Sequence, residues 1–336
     1  MKLFKLNLPL YIVILLACGA FASGKYILSG KKTSSESSEI HPVVNCPASM
    51  EQVRLKDYEL THPLILTDIS EESASLRNIH DKIETYVNAA RSEQKADEIS
   101  VYFRKLDNGA WFSINPNQTY NPASMIKVAY LITFMKMAES NPNILNKKVY
   151  FSKHFSQAIN QNIKDFQLKE GVHYTIEGLL TAMMVHSDND ATILLGEQMN
   201  VNIFNGIFKD LNIPIPNPVT EYYISVNDFC KFFRVLYSST YTRPEYSEYA
   251  LKMMTYSTYN NGLKKGIDPN VKMAHKFGER IFGTKSQLHE FGIVFFNKTP
   301  YLIGVMTKGN SLTQLSTILG DISKIAFDEY KMQNGI

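Results

Sequence analysis

Ser124 and Lys127 stand three residues apart in the run Pro122-Ala123-Ser124-Met125-Ile126-Lys127-Val128. Residues at that spacing share one face of a helix. A serine hydroxyl is a weak nucleophile until a neighbouring base takes its proton. A lysine forced out of water loses its preference for the ammonium form and becomes such a base near neutral pH. The ordinary alternative is a lysine that snorkels from a core helix to water. The spacing alone does not discriminate, because it recurs at Ser29–Lys32 and Ser92–Lys95. Context does: both of those serines lie in polar stretches, whereas Met125 to Met137 is mostly apolar. A serine opening such a helix also has unpaired N–H groups beside it, which suit a developing oxyanion.

Two more clusters carry usable groups. Ser187-Asp188-Asn189 follows an apolar helical run ending at Met184. Taken singly it reads as a capping turn, since all three side chains bond well to local backbone. His275-Lys276-Phe277-Gly278 closes an alternating strand through Val271, Met273 and His275, and singly it reads as a polar strand end.

The order S-x-x-K, S-D-N, then K-x-G is far less ordinary than any one of the three. It resembles the signature of class A β-lactamases and penicillin-binding proteins. The resemblance runs from about Ser75 to the C-terminus, and Phe291-Gly292-Ile293-Val294 shares in it. It implies a serine hydrolase acting through an acyl-enzyme on β-lactams or related amides, with no cofactor and no metal. By resemblance Ser124 is the nucleophile and Lys127 helps to deprotonate it. Ser187 relays the proton to the leaving nitrogen. Lys276 binds the substrate carboxylate and tunes Ser187, and Asn189 holds the substrate amide. Asp188 is structural. Gly278 precedes Glu279, whose backbone N–H forms the oxyanion hole with that of Ser124.

The chain departs from the family pattern in two places. The threonine of K-T-G is Phe277 here, which removes a hydroxyl from the substrate site. The glutamate that activates water for deacylation, in an E-x-x-L-N pattern, has no counterpart between Asn189 and Val226. Glu221 is the one carboxylate near the right point and the candidate deacylation base. Two rival functions follow: a D-alanyl-D-alanine peptidase or penicillin-binding protein that deacylates slowly, and a non-catalytic wall-binding module.

Positioning these groups needs a scaffold, and the patterning supplies one. Leu76, Ile79, Ile83 and Val87 have helical spacing. Ile99–Leu106 and Ala110–Ile114 read as strands around an Asn108-Gly109 turn. Helices are expected at Met125–Met137, after a Thr175 cap, and at Val226–Tyr237 after a Ser225 cap. Val271–Phe277, Gly292–Phe296 and Tyr301–Thr307 read as strands, and Leu312–Tyr330 as a helix. The fold class is therefore α/β (α+β), β-lactamase/transpeptidase-like. A five-stranded antiparallel sheet is flanked by the terminal helices, and an all-helical lobe is inserted in the middle. The cleft between the two is the natural site.

With 336 residues, 44% hydrophobic content and a net charge of +3, the chain can bury a large core. It shows no basic block that would call for nucleic acid. Cys18, Cys46 and Cys230 form no CxxC pair, so no zinc site is expected; outside the cytosol Cys46 and Cys230 could form a disulfide. Lys2 and Lys5 precede an uncharged run, Leu8 to Ser23. Residues 1–28 read as a signal peptide, a lipoprotein leader or a retained anchor. Each exports the remainder to the extracytoplasmic face of the membrane. Residues 29–74 read as linker and extension, and 75–336 as the hydrolase domain. The expected partners are a β-lactam or a peptidoglycan stem peptide, and the membrane.

Overall fold

The computed structural model describes residues 59–61, 72–159, 161–217 and 220–333, all within one compact unit spanning 51–336. The segment 1–28, most of 29–74, Cys18 and Cys46 lie outside the described residues, and with them any Cys46–Cys230 bond. Within the expected linker and extension, Leu60 is buried. The N–H groups of Leu60 and Thr61 both donate to the Glu248 carboxylate at 2.7 Å. Among the described residues no helix is long and apolar enough to cross a membrane.

Helix α1 (Arg77–Ser92) leads into β1 (Glu98–Lys105) and β2 (Trp111–Ile114). A short strand β3 (Thr119–Tyr120) precedes α2 (Lys127–Ser140). Then come β4 (Lys148–Phe151), β5 (Val172–Thr175), α3 (Ile176–Val185), α4 (Asn189–Gln198) and α5 (Val201–Asp210). Strand β6 (Ile224–Ser225), α6 (Val226–Tyr237) and α7 (Pro244–Met254) complete the insertion. The chain closes with β7 (Lys272–Phe282), β8 (Lys285–Phe295), β9 (Tyr301–Gly309) and α8 (Leu312–Gln333).

The five-stranded antiparallel sheet has the order β2-β1-β9-β8-β7. Its first hairpin turns at Gly109, where a φ of 77° suits glycine. One face is covered by α1 and α8 through Ile79, Ile83, Val87, Leu315, Ile318 and Ile322. The other faces the helical lobe, whose core is built on Leu131, Phe134, Leu179, Met183, Phe229 and Phe233. The expected caps form: Thr175 Oγ1 accepts from Gly178 N at 3.0 Å, and Ser225 Oγ from Asp228 N at 3.1 Å.

Two strands are longer than the sequence pattern indicates. Val271–Phe277 becomes Lys272–Phe282, and Gly292–Phe296 becomes Lys285–Phe295. They meet in a tight hairpin at Gly283, with φ of 60°. Its distal half carries Glu279, Arg280, Lys285 and Gln287 at the more exposed end, so apolar alternation fades although the ladder continues.

Phe291 is one of the rings that join sheet and lobe. Phe291 on β8 packs against Phe229 and Phe233 of α6, at centroid separations of 4.8 and 6.0 Å. Gly304 is its register partner on β9, and a Cβ there would collide with the Phe291 ring. Gly304→Ala should therefore destabilise the domain by about 1–3 kcal/mol, as core overpacking does. Thermal unfolding checks it, and an unchanged midpoint would mean the ring is free to move.

Candidate functional site

The nucleophile candidate lies in a tight turn rather than a regular helix. Ala123–Ile126 form a 3₁₀ turn that runs into α2. Residues three apart eclipse one another in such a turn, which stacks Lys127 over Ser124. Ala123 takes a left-handed φ of 48°, supported by its N–H donating to Asn121 Oδ1 at 3.0 Å. Below it, buried His289 bonds the Asn121 carbonyl through Nε2 at 3.1 Å. Its Nδ1 accepts from Thr307 N at 3.1 Å. Both bonds require the tautomer protonated on Nε2. Burial pushes the imidazole down to about 3, so it stays neutral.

Gly278 lets the sheet reach this turn. A Cβ on it would stand 2.5 Å from Pro122 O and 2.8 Å from Met125 N. The backbone of β7 therefore abuts the peptides on either side of Ser124. Glu279, one residue on, continues the strand past the junction.

The two candidate lysines converge on Ser187. Lys127 donates to Ser187 O at 2.6 Å, to Asn189 Oδ1 at 2.7 Å and to Ser187 Oγ at 3.3 Å. Lys276 donates to Ser187 Oγ at 2.8 Å and to Phe277 O at 2.9 Å. Lys127 is 2% exposed and Lys276 0%. Burial brings the Lys127 amine down to about 7, against the pull of the Asp188 and Glu279 charges. Burial, reinforced by the Lys127 charge, also holds Lys276 well below the ordinary lysine range. Ser187 has a left-handed φ of 58°. Asp188 caps α4 by accepting from Ala191 N at 2.7 Å, which fixes Asn189 as the helix's first residue.

An amine near its pKa can both take and return a proton. Two donors on the lone pairs of Ser187 Oγ leave its own O–H as the group available to donate. The arrangement is suited to moving a proton from Ser124 to a leaving group through Lys127 and Ser187.

Glu221 sits elsewhere. Its carboxylate pairs with Arg280 and accepts from Tyr223 Oη at 2.6 Å. Arg280 foremost, then Tyr223, hold it below the usual carboxylate range. Neither partner belongs to the Lys127–Ser187–Lys276 network.

The Glu279 side chain, unlike its N–H, was not among the sequence candidates. It accepts from Asn162 N at 2.6 Å, Ile163 N at 2.7 Å and Asn162 Nδ2 at 2.7 Å. The segment from Gln161 to Phe166 is tied at its other side to His186, beside Ser187. Phe166 stacks on the His186 ring at 4.6 Å, and Asp165 bonds its Nδ1 at 3.3 Å. The segment thus links Glu279 on β7 to His186, the residue before Ser187. A second group missed is Glu290, fully buried on β8, which bonds His275 Nδ1 at 2.6 Å and accepts from Leu263 N at 2.7 Å. The signal was a glutamate inside the apolar strand Leu288-His289-Glu290-Phe291. Among the described residues, His80, Asp81 and Glu84 bring three possible metal ligands together. They belong to α1 and not to the cleft.

The chain matches the beta-lactamase enzyme family over residues 78–330. No curated protein sequence matches it. The structure of PBP-A aligns with a TM-score of 0.65 at 21% identity, covering 76% of this chain and 97% of that one. A mutant of PBP-A is known as an acyl-enzyme complex with penicillin G. A beta-lactamase from Chitinophaga pinensis aligns at 0.64 with 15% identity, covering 74% and 99%. TLA-1 extended-spectrum beta-lactamase aligns at 0.64 with 16% identity, covering 74% and 98%. At these identities the likeness shows the fold.

Gly278→Ala tests the junction. The added methyl must push β7 off the Ser124 turn, and a shift of about 1 Å costs on the order of 10²-fold in rate. The variant should stay folded by circular dichroism yet label at Ser124 about 10²-fold more slowly with a fluorophosphonate. Labelling at the native rate would show that the turn does not depend on that contact.

Proposed function

The chain belongs to the β-lactamase enzyme family, and on that premise we propose that its acyl-enzyme forms on Ser124, with Lys127 as base and Ser187 as proton relay. One observation carries the reading: Ser187 Oγ lies between two buried amines, one of them held at about 7. In its neutral form Lys127 satisfies its N–H bonds to Ser187 O and Asn189 Oδ1 and keeps a lone pair for the Ser124 proton. Ser124 Oγ then bonds to the acyl carbon, and the C–N bond opens. The nitrogen takes the Ser187 proton, which Lys127 replaces with the one it holds. Lys276 holds the Ser187 oxygen in place. The backbone N–H groups of Ser124 and Glu279, on either side of the Gly278 junction, receive the oxyanion.

The test is labelling with a fluorescent penicillin. Ser124→Ala should abolish labelling and Lys127→Ala should slow it by about 10²–10⁴-fold, the usual value of general-base assistance. Protonated Lys127 cannot accept, so the rate should fall as pH drops through about 7 and level off above it. Equal labelling of Ser124→Ala would remove the assignment.

A specific observation favours slow deacylation. Glu221, the one carboxylate the sequence offers for activating water, is committed to Arg280 and Tyr223. A carboxylate held in its ionised form by an arginine is a weak base. We therefore place the enzyme with those that acylate faster than they release, the behaviour of a penicillin-binding protein acting on stem peptides. Glu221→Gln should change the lifetime of the penicilloyl-enzyme by less than about tenfold, a barrier change under roughly 1.4 kcal/mol. Intact-mass time courses measure it. A hundredfold longer lifetime would instead make Glu221 the water-activating base.

A further inference from the structure

Lys276 and Ser187 belong to different parts of the fold, and one short loop is bonded to both. Residues 258–263 follow α7 and end in the 3₁₀ turn at Leu263. At the lobe end, Thr258 N and Oγ1 donate to Val185 O at 3.1 and 3.0 Å, two residues before Ser187. At the strand end the loop grips the residues on either side of Lys276. Tyr259 stacks on Phe277, with centroids 4.1 Å apart. Leu263 N donates to the Glu290 carboxylate at 2.7 Å, whose other oxygen accepts from His275 Nδ1 at 2.6 Å. A carboxylate only accepts, so His275 carries a proton on Nδ1. Alternation along β7 turns His275 and Phe277 to one face and Lys276 to the other, towards Ser187.

Glu290 and His275 are 0% and 2% exposed, on the face of the sheet that Leu288 and Val294 also line. Apolar side chains of similar volume commonly hold a core as well as a buried charged pair does. Packing alone therefore does not account for a glutamate at this place. The loop is shaped to reach it, because a Cβ on Gly262 would stand 2.0 Å from Glu290 Oε2. Lys276 itself bonds two neutral oxygens, Ser187 Oγ and Phe277 O. Burial and the Lys127 charge pull its amine down, and the Glu290 charge pulls it up.

We propose that Glu290 is a positioning residue for the proton relay: through His275 and Leu263 it fixes the strand at Lys276 against the turn at Ser187, and so sets the bond from Lys276 to Ser187 Oγ. It touches neither the substrate nor the reacting atoms. This rests on the acyl-enzyme reading above and adds a residue which that reading does not use. The reaction is unchanged: Ser124 Oγ bonds to the carbonyl carbon, the C–N bond opens, and the leaving nitrogen takes the Ser187 proton.

Two probes separate the relay from the nucleophile. A penicillin needs a proton delivered to its leaving nitrogen, whereas a fluorophosphonate loses fluoride, which needs none. In the full chain, Glu290→Leu and His275→Ala each break the tie. Penicillin should then label Ser124 more slowly by about 10–10²-fold, the cost of a displacement of up to about 1 Å. The fluorophosphonate should label at the native rate. His275→Asn puts an amide donor where Nδ1 stood and should restore the penicillin rate. An unchanged penicillin-to-fluorophosphonate ratio in either breaking variant that folds, including equal slowing of both probes, would overturn the inference. So would a His275→Asn variant as slow as His275→Ala. Loss of folding in both breaking variants, seen by circular dichroism, would make the pair a folding element and overturn it too. In each of those cases the nucleophile assignment stands. Failure of either probe to label Ser124 in the native protein would bring down the acyl-enzyme reading, and this inference with it.

Discussion

Two amines share one hydroxyl oxygen in a space that water hardly enters. Lys127 and Lys276 both donate to Ser187 Oγ while 2% and 0% exposed. Two ammonium ions so placed would repel each other and would each lack solvation. The molecule meets this by shifting the protonation equilibrium: burial lowers both amines, and the Lys127 charge lowers Lys276 further. The same physics that makes the pair costly makes Lys127 a base at neutral pH. Neither effect would survive if the sheet and the lobe drew apart, because Lys276 belongs to β7 while Ser187 and Lys127 belong to the lobe.

The rest of the fold answers that requirement. Gly278 removes the side chain that would hold β7 away from the nucleophile turn. His289 holds the peptide before that turn, and it does so as a neutral ring whose tautomer is set by the Thr307 N–H. Glu290 ties β7 to the 3₁₀ turn at Leu263 through His275 on one oxygen and Leu263 N on the other. Phe291 points to the lobe and Gly304 clears its space. Glycines and buried polar groups thus recur along β7, β8 and β9, each at a place where one surface must approach another closely. A buried carboxylate or imidazole is tolerated here because every such group finds partners.

Much of this was legible in the chain. Ser124, Lys127, Ser187 and Lys276 stand in a known order, and the structure brings the last three into one network beside the first. The Thr175 and Ser225 caps were readable because capping is local. The length of β7 and β8 was not, because Glu279 to Gln287 pair along a ladder whose outer end needs no apolar face. The side-chain role of Glu279 was hidden for another reason. Its partners, Asn162 and Ile163, lie more than a hundred positions away, and nothing in their local sequence marks them as donors. Glu221 was marked by its position before α6, and its partner there, the strand residue Arg280, is equally remote in the chain.

Phe277 connects these points. A hydroxyl there would have been one more donor at the edge of the site. A phenyl ring instead covers Lys276 and stacks on Tyr259, which dries the amine further and fills its remaining bonding direction. A drier lysine is a better proton relay and a worse anion receptor, because both roles draw on the same few N–H groups. Phe277 therefore trades a hydroxyl donor at the edge of the site for a drier, more tightly enclosed Lys276.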